Sequence, residues 1–141
     1  MLDKLNIVLD DGAIAPIHAH DTDAGYDLCT PVIAIIPHHQ RATVNTGIRI
    51  DIPAGYYGRI ESKSGLMKDK GITVSGTIDA GYRGPIKVVM FNHSDQDATF
   101  KRGDKIAQIV FLKCETPILE EVDTFQGSTD RGENGFGSTG R

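Results

Sequence analysis

Apolar and polar residues alternate along Ala42-Thr-Val-Asn-Thr-Gly-Ile-Arg-Ile50, which predicts a strand carrying Val44, Ile48 and Ile50 on one face. Ile86–Phe91 and Ile106–Leu112 are β-rich runs, and the second is apolar enough to predict a strand covered on both faces. Leu5–Leu9 and Val32–Ile36 read as further strands. Turn-forming clusters separate them: Asp10-Asp-Gly, Pro37-His-His, Asp51-Ile-Pro-Ala-Gly, Gly81-Tyr-Arg-Gly-Pro and Lys101-Arg-Gly-Asp. Short strands at this spacing, in a chain with 16 Gly and 6 Pro, predict an all-β sandwich or jelly roll. Only Ser64–Lys70 offers a helical turn. No internal repeat is visible. Residues after about Thr124 read as a mobile arm, which divides the chain into a folded domain, 1–124, and an arm, 125–141.

Composition narrows the classes. A chain of 141 residues, 39% hydrophobic, makes one globular domain with a core of its own. Its longest apolar runs are about five residues, far short of the ~20 that span a bilayer. The first residues lack the basic and apolar regions of a signal peptide, so a cytoplasmic location is expected. Cys29 and Cys114 lie far apart with no ligand pattern and are expected as reduced thiols. A net charge of −4 with scattered basic residues argues against a duplex nucleic acid as partner, yet allows one small polyanion in a locally positive pocket.

Several polar clusters could carry chemistry, each with a plainer alternative. In Ala24-Gly-Tyr-Asp27 an acid follows a tight turn, where a turn-capping Asp is the alternative. Glu61-Ser-Lys-Ser-Gly-Leu66 joins a cation, a hydroxyl and a glycine at the start of the helical turn, suited to phosphate; a simple Ser N-cap is the alternative. Gly76-Thr-Ile-Asp-Ala-Gly-Tyr-Arg-Gly84 sets a carboxylate three residues from a phenol between glycines. Such an Asp could orient a water and such a Tyr could pack against a sugar, while an ordinary turn with an exposed Tyr remains open. Arg102–Gln108 places the Gln108 amide inside an apolar run, where it must find partners. The ending Arg131-Gly-Glu-Asn-Gly-Phe-Gly-Ser-Thr-Gly-Arg141 combines loose backbone, hydroxyls, a cation and one aromatic. That is equipment for closing over a nucleotide; a frayed terminus is the alternative. The tail's Gly-x-Gly-x-x-Gly match lacks the strand and helix a dinucleotide site requires. His18, His20, His38 and His39 lack a third ligand at usable spacing, so no metal site of protein ligands is expected.

Taken together and in this order, the clusters Ala24–Leu28, Ser62–Leu66, Gly76–Ile86, Arg102–Gln108 and Arg131–Gly140 resemble the five motifs of the homotrimeric deoxyuridine triphosphatases (dUTPases), from about residue 14 to the end. The resemblance implies a distorted jelly-roll trimer with shared active sites, hydrolysing dUTP to dUMP and pyrophosphate with Mg2+. By position, it implies that Asp79 orients the attacking water, that Tyr82 excludes a 2′-OH, and that Thr73, Gly76, Thr77 and Ile78 surround the uracil. It further implies that Lys63, Ser64, Gly65 and Gln108 hold the phosphates, while Asp27 reaches the metal through water. The tail would bring Arg131 to the γ-phosphate, stack Phe136 on uracil and complete the cradle with Gly137 and Ser138.

One departure stands out. The second motif usually reads Pro-Arg-Ser-Gly, whereas this chain has Ser62-Lys63-Ser64-Gly65. Lys is a point charge and cannot fork onto a phosphate as Arg does. Two rival readings find less support. A dCTP deaminase would carry a Glu three residues before the Asn after the third motif, and Val89 stands there before Asn92. A nucleotide-responsive regulatory protein acting on a protein partner would need a surface that no added domain or insert here supplies.

Overall fold

The computed structural model describes residues 2–140. In chain order the described elements are β1 (Ile7–Leu9), β2 (Tyr26–Cys29), β3 (Ala34–Ile36), β4 (Arg41–Asn45), β5 (Ile48–Ile50), β6 (Tyr56–Glu61), α1 (Ser64–Lys70), β7 (Ile72–Ile78), β8 (Lys87–Asn92), β9 (Ala98–Phe100) and β10 (Lys105–Lys113). Six strands form one sheet in the order β2-β10-β6-β7-β8-β4, and β1-β5 and β3-β9 form two-stranded sheets. All these pairings are antiparallel. The last strand lies between β2 and β6, and β4 returns to pair with β8, so the chain crosses over as a jelly roll does. No helix among the described residues is long and apolar enough to cross a membrane.

Period-two patterning explains the core. Val88 and Met90 point inward from β8, Ile72 and Val74 from β7, and Ala107 and Ile109 from β10, where a register shift beside Lys105 also buries Ile106; Leu28, Ile36, Ile52, Ile86 and Phe100 join them. Burying each such side chain contributes about 1.5–3 kcal/mol, which is the main force holding a sheet this irregular in shape.

The structure refines several expectations. The predicted Ala42–Ile50 strand is two strands in different sheets, broken at Thr46–Gly47. Gly47 has φ +70°, and the Thr46 hydroxyl donates to the carbonyl of Ile86 at 2.7 Å, so the corner is held by a side chain. β1 is shorter than the predicted Leu5–Leu9, covering Ile7–Leu9, and is exposed along its whole length. β10 buries Ile106, Ala107 and Ile109, but Val110, Phe111 and Leu112 are only half-covered in the single chain. The helical turn is α1. It stops at Gly71, whose φ of +63° is the left-handed cap that lets its N–H reach back to Met67.

Candidate active site

Strand register builds the first half of the site. Asp27 of β2 faces Gln108 of β10, and Gln108 faces Glu61 of β6, which in turn faces Ser75 of β7. These four residues therefore form one row across the sheet and share a face. Gly25 allows the close approach at the start of β2: a Cβ there would lie 3.0 Å from Gln108 Oε1 and from the Ile109 carbonyl oxygen.

Asp27 is only 8% exposed, and it is not a turn cap. Lys63 donates to its Oδ1, and Lys105 Nζ lies 2.7 Å from Oδ2. Burial pushes the Asp27 carboxyl up, but the hydrogen bonds and charges of Lys105 and Lys63 outweigh it and hold the group below the ordinary carboxylate value. The same contact raises the affinity of Lys105 for its proton. Burial, aided by the charge of Asp27, pushes the neighbouring Cys29 thiol up and leaves it a poor nucleophile. Lys105 had no signal of its own in the sequence. It sits beside a solvated turn, and only the β2–β10 pairing brings it to Asp27.

Lys63 is also the residue that caps α1, and no side chain caps that helix end. The Ser N-cap alternative is thereby excluded. Ser64 and Gly65 are exposed just beyond Lys63, and nothing lies within 4 Å of a Cβ built at Gly65. Ser62 instead ties β6 to β7: its hydroxyl donates to the Val74 carbonyl at 3.0 Å and accepts from the Val74 N–H at 2.9 Å. The Gln108 amide donates to the Ser62 carbonyl at 3.4 Å, a long contact that leaves the rest of the amide open.

The second half lies on the β7–β8 hairpin. Its strands pair at Ile72↔Asn92, Thr73↔Phe91 and Val74↔Met90, and there the pairing ends. Beyond that point Ser75–Ile78 pair with β6 only. The hairpin opens, and the β7 main chain at Gly76, Thr77 and Ile78 has an edge not used by β8. Thr73 lies in the closed part, where its hydroxyl meets His93 Nε2 at 2.7 Å. Asp79 and Tyr82 follow on an exposed turn, with the Tyr82 N–H donating to the Asp79 carbonyl at 3.2 Å. The Tyr82 hydroxyl donates to the Pro85 carbonyl at 3.0 Å, and the ring lies over Gly84.

One chain does not bring Asp27 and Asp79 together. Asp27 and Asp79 are separated by three strand spacings and about four residues along the sheet, on the order of 20 Å. The arm completes neither half. From Glu115 to Gly140 it carries no strand or helix, only turns such as Arg131 with Asn134, and Arg131, Phe136, Gly137 and Ser138 are all exposed. Arg141 lies outside the described residues. Three of the five histidines pair with acids, His20 with Asp23, His38 with Asp97 and His39 with Asp95, and no group of three or more potential ligands that could hold a metal occurs among the described residues.

Comparison with known proteins gives these features a family. The dUTPase family model matches residues 11–140. A deoxyuridine 5′-triphosphate nucleotidohydrolase of Candida albicans is 48% identical, over 84% of this chain and 76% of the relative. One from Rhodococcus erythropolis is 43% identical over 99% and 89%. Among solved structures, the Staphylococcus bacteriophage 80alpha dUTPase with dUPNHPP superposes with a TM-score of 0.93 at 29% identity, covering 99% of both chains. A dUTPase variant of phage phi11 of S. aureus, described with a structural Mg(II) ion, superposes with a TM-score of 0.82 at 27% identity, covering 89% of this chain and 100% of the other. With a match that spans nearly the whole chain, sequence and structure agree: this protein belongs to the dUTPase family.

Proposed function

We infer that this protein is a dUTP diphosphatase, cleaving dUTP to dUMP and pyrophosphate and so keeping uracil out of DNA. The observation that carries the reading is the hairpin that opens after Val74, with Asp79 and Tyr82 on the turn beyond it. The free main-chain edge at Gly76, Thr77 and Ile78 suits the alternating donors and acceptors of uracil, with Thr73 at the closed end. A ring seated over Gly84 suits a deoxyribose face. Asp79 orients the water for in-line displacement at the α-phosphorus, a reaction that needs geometry and charge neutralisation more than covalent help.

Lys63, Ser64, Gly65 and Gln108 hold the phosphate chain. The ~20 Å between Asp27 and Asp79 supports a homotrimer in which Asp27, Lys63 and Gln108 of one chain serve the same site as Asp79 of another. The arm, residues 125–141, exposed through Gly140 where it is described, then supplies Arg131, Phe136, Gly137 and Ser138 and excludes bulk water on closing. Mg2+ would fit this donor set as a substrate-borne ion: Asp27 already has both oxygens engaged by lysines, so it would act on the ion through water, with the substrate's phosphates supplying most of the ligands. When bound, the ion neutralises charge on the phosphates. Both cysteines are free thiols, consistent with a reaction in the cytoplasm. The test is pyrophosphate release from dUTP, dTTP, dCTP and UTP with magnesium. Selective cleavage of dUTP is expected, and equal cleavage of all four, or of none, would refute the assignment.

A further inference from the structure

The turn that carries Asp79 and Tyr82 is fastened from outside by a chain of forked contacts. Arg49 of β5 donates from Nε and Nη2 to the two oxygens of Asp10, at 2.8 and 3.1 Å. Its remaining Nη1 donates to the carbonyl of Arg83 at 3.2 Å. Arg83 in turn forks onto Asp51, at 3.1 and 3.2 Å. Backbone bonds hold the two ends of the turn: Gly81 N–H to the Ile52 carbonyl at 3.1 Å, and Ile86 N–H to the Ile48 carbonyl at 2.8 Å.

The geometry gives these contacts a purpose beyond stability. The carbonyl that Arg49 grips belongs to the peptide plane joining Arg83 to Gly84. Gly84 is the seat of the Tyr82 ring, whose nearest atoms lie within 3 Å of a Cβ built there. Arg49 thus fixes the peptide plane, the plane fixes Gly84, and Gly84 fixes where the phenol ring stands. Asp10 occupies the other two donors of Arg49 and sets its orientation. Asp10 follows β1 directly, and its own N–H donates to the Gly47 carbonyl at 2.9 Å, so the acid is itself anchored. Exposed ion pairs contribute little to stability on their own, but two forks in series restrict a turn in both direction and twist.

We propose that Asp10 and Arg49 are positioning residues for the Tyr82 turn, and that through it they set the preference for a 2′-deoxy sugar. The proposal rests on the dUTP reading above. Neither residue touches the nucleotide; they act through the Arg83–Gly84 peptide.

The test compares kcat/KM for dUTP and UTP in Asp10→Ala, Arg49→Ala, Arg49→Lys and the double Ala variant. Disruption within a coupled network changes such ratios by about two- to thirtyfold. The dUTP-over-UTP ratio is expected to narrow by at least about threefold in each single variant, Arg49→Lys included, because Lys cannot fork. The double variant is expected to match Arg49→Ala alone, since both changes break one linkage. Asp97→Ala, which opens the unrelated contact to His38, serves as a control for lost stability and should keep the ratio of the parent. A parental ratio in the Arg49 variants overturns the proposal while leaving the dUTP assignment intact. Hydrogen exchange of the Gly81 and Tyr82 amides reads the brace without substrate: faster exchange in Arg49→Ala supports it, and unchanged exchange overturns it even if the parent protein proved inactive on dUTP.

Discussion

Gly84→Ala tests the seat of the Tyr82 ring with a single methyl group. A Cβ at Gly84 would stand 2.4 Å from the Tyr82 hydroxyl oxygen, 2.6 Å from Cζ and 2.9 Å from Cε2. Non-bonded heavy atoms are at their best separation at about 3.5–4.0 Å, so the ring has to retreat by about 1 Å. That movement breaks the 3.0 Å hydrogen bond from the hydroxyl to the Pro85 carbonyl, at a cost of about 0.5–1.5 kcal/mol. Tyr82 is 44% exposed and can swing outward with little loss of burial. Gly84 has no positive φ, so the substitution adds no backbone strain. The melting temperature should therefore fall by only about 2–6 °C. Catalysis should suffer more, because a ~1 Å misplacement in an active site can cost up to about 10²-fold. The expected outcome is a loss of roughly tenfold or more in kcat/KM for dUTP, with a smaller loss for UTP. In a Tyr82→Ala background the added methyl group should have no effect, since the clash would have no ring to displace. Parental discrimination in Gly84→Ala, or an effect of that substitution that persists without the ring, would refute the reasoning.

Other outcomes follow from the same geometry. Asp79→Asn should reduce turnover by at least ~10²-fold with nucleotide binding largely kept; titration calorimetry beside a turnover assay separates the two, and retained turnover removes Asp79 as the water-orienting group. Truncation before Arg131 should leave the melting temperature almost unchanged, because residues 131–140 are exposed and none joins the core, while activity collapses; an active truncation would make the arm dispensable. Asp27 is held below the ordinary carboxylate value against its own burial, so its contribution to stability is present above that value of about 3.9 and is lost as the pH falls through the lowered folded-state pKa. Urea midpoints measured from pH 6 down to pH 2 should drop more steeply in the parent than in Asp27→Asn, and parallel curves would show that the two lysines do not stabilise the charge.

The core strands were legible because their spacing is a local property. Val88 and Met90, or Ile72 and Val74, announce an inward face within a few residues. What escaped depends on distant partners. β6 and β7 carry Gly58 and Gly76 in mid-strand, which weakens any local strand signal, and only pairing with each other and with β10 makes them strands. The break at Gly47 was hidden because Val44, Ile48 and Ile50 keep the same alternation on either side of the corner. The candidate site residues could be named from their order along the chain, but their relations could not. Lys105 meets Asp27 only through a strand pairing that spans most of the sequence, and Arg49 reaches Arg83 from another sheet. Conversely, nothing in the five clusters hints that Asp27 and Asp79 stand so far apart in one chain.

The open half of the β7–β8 hairpin has an evolutionary consequence. A pyrimidine recognised there is read by peptide groups, and peptide groups are the same whatever amino acid is attached. Point mutations at Thr77 or Ile78 can reshape the walls of the slot, but they cannot delete its N–H and C=O partners, short of introducing proline. Selectivity for a base read at that edge is thus insulated from drift, because no side-chain substitution short of proline removes the partners that read it.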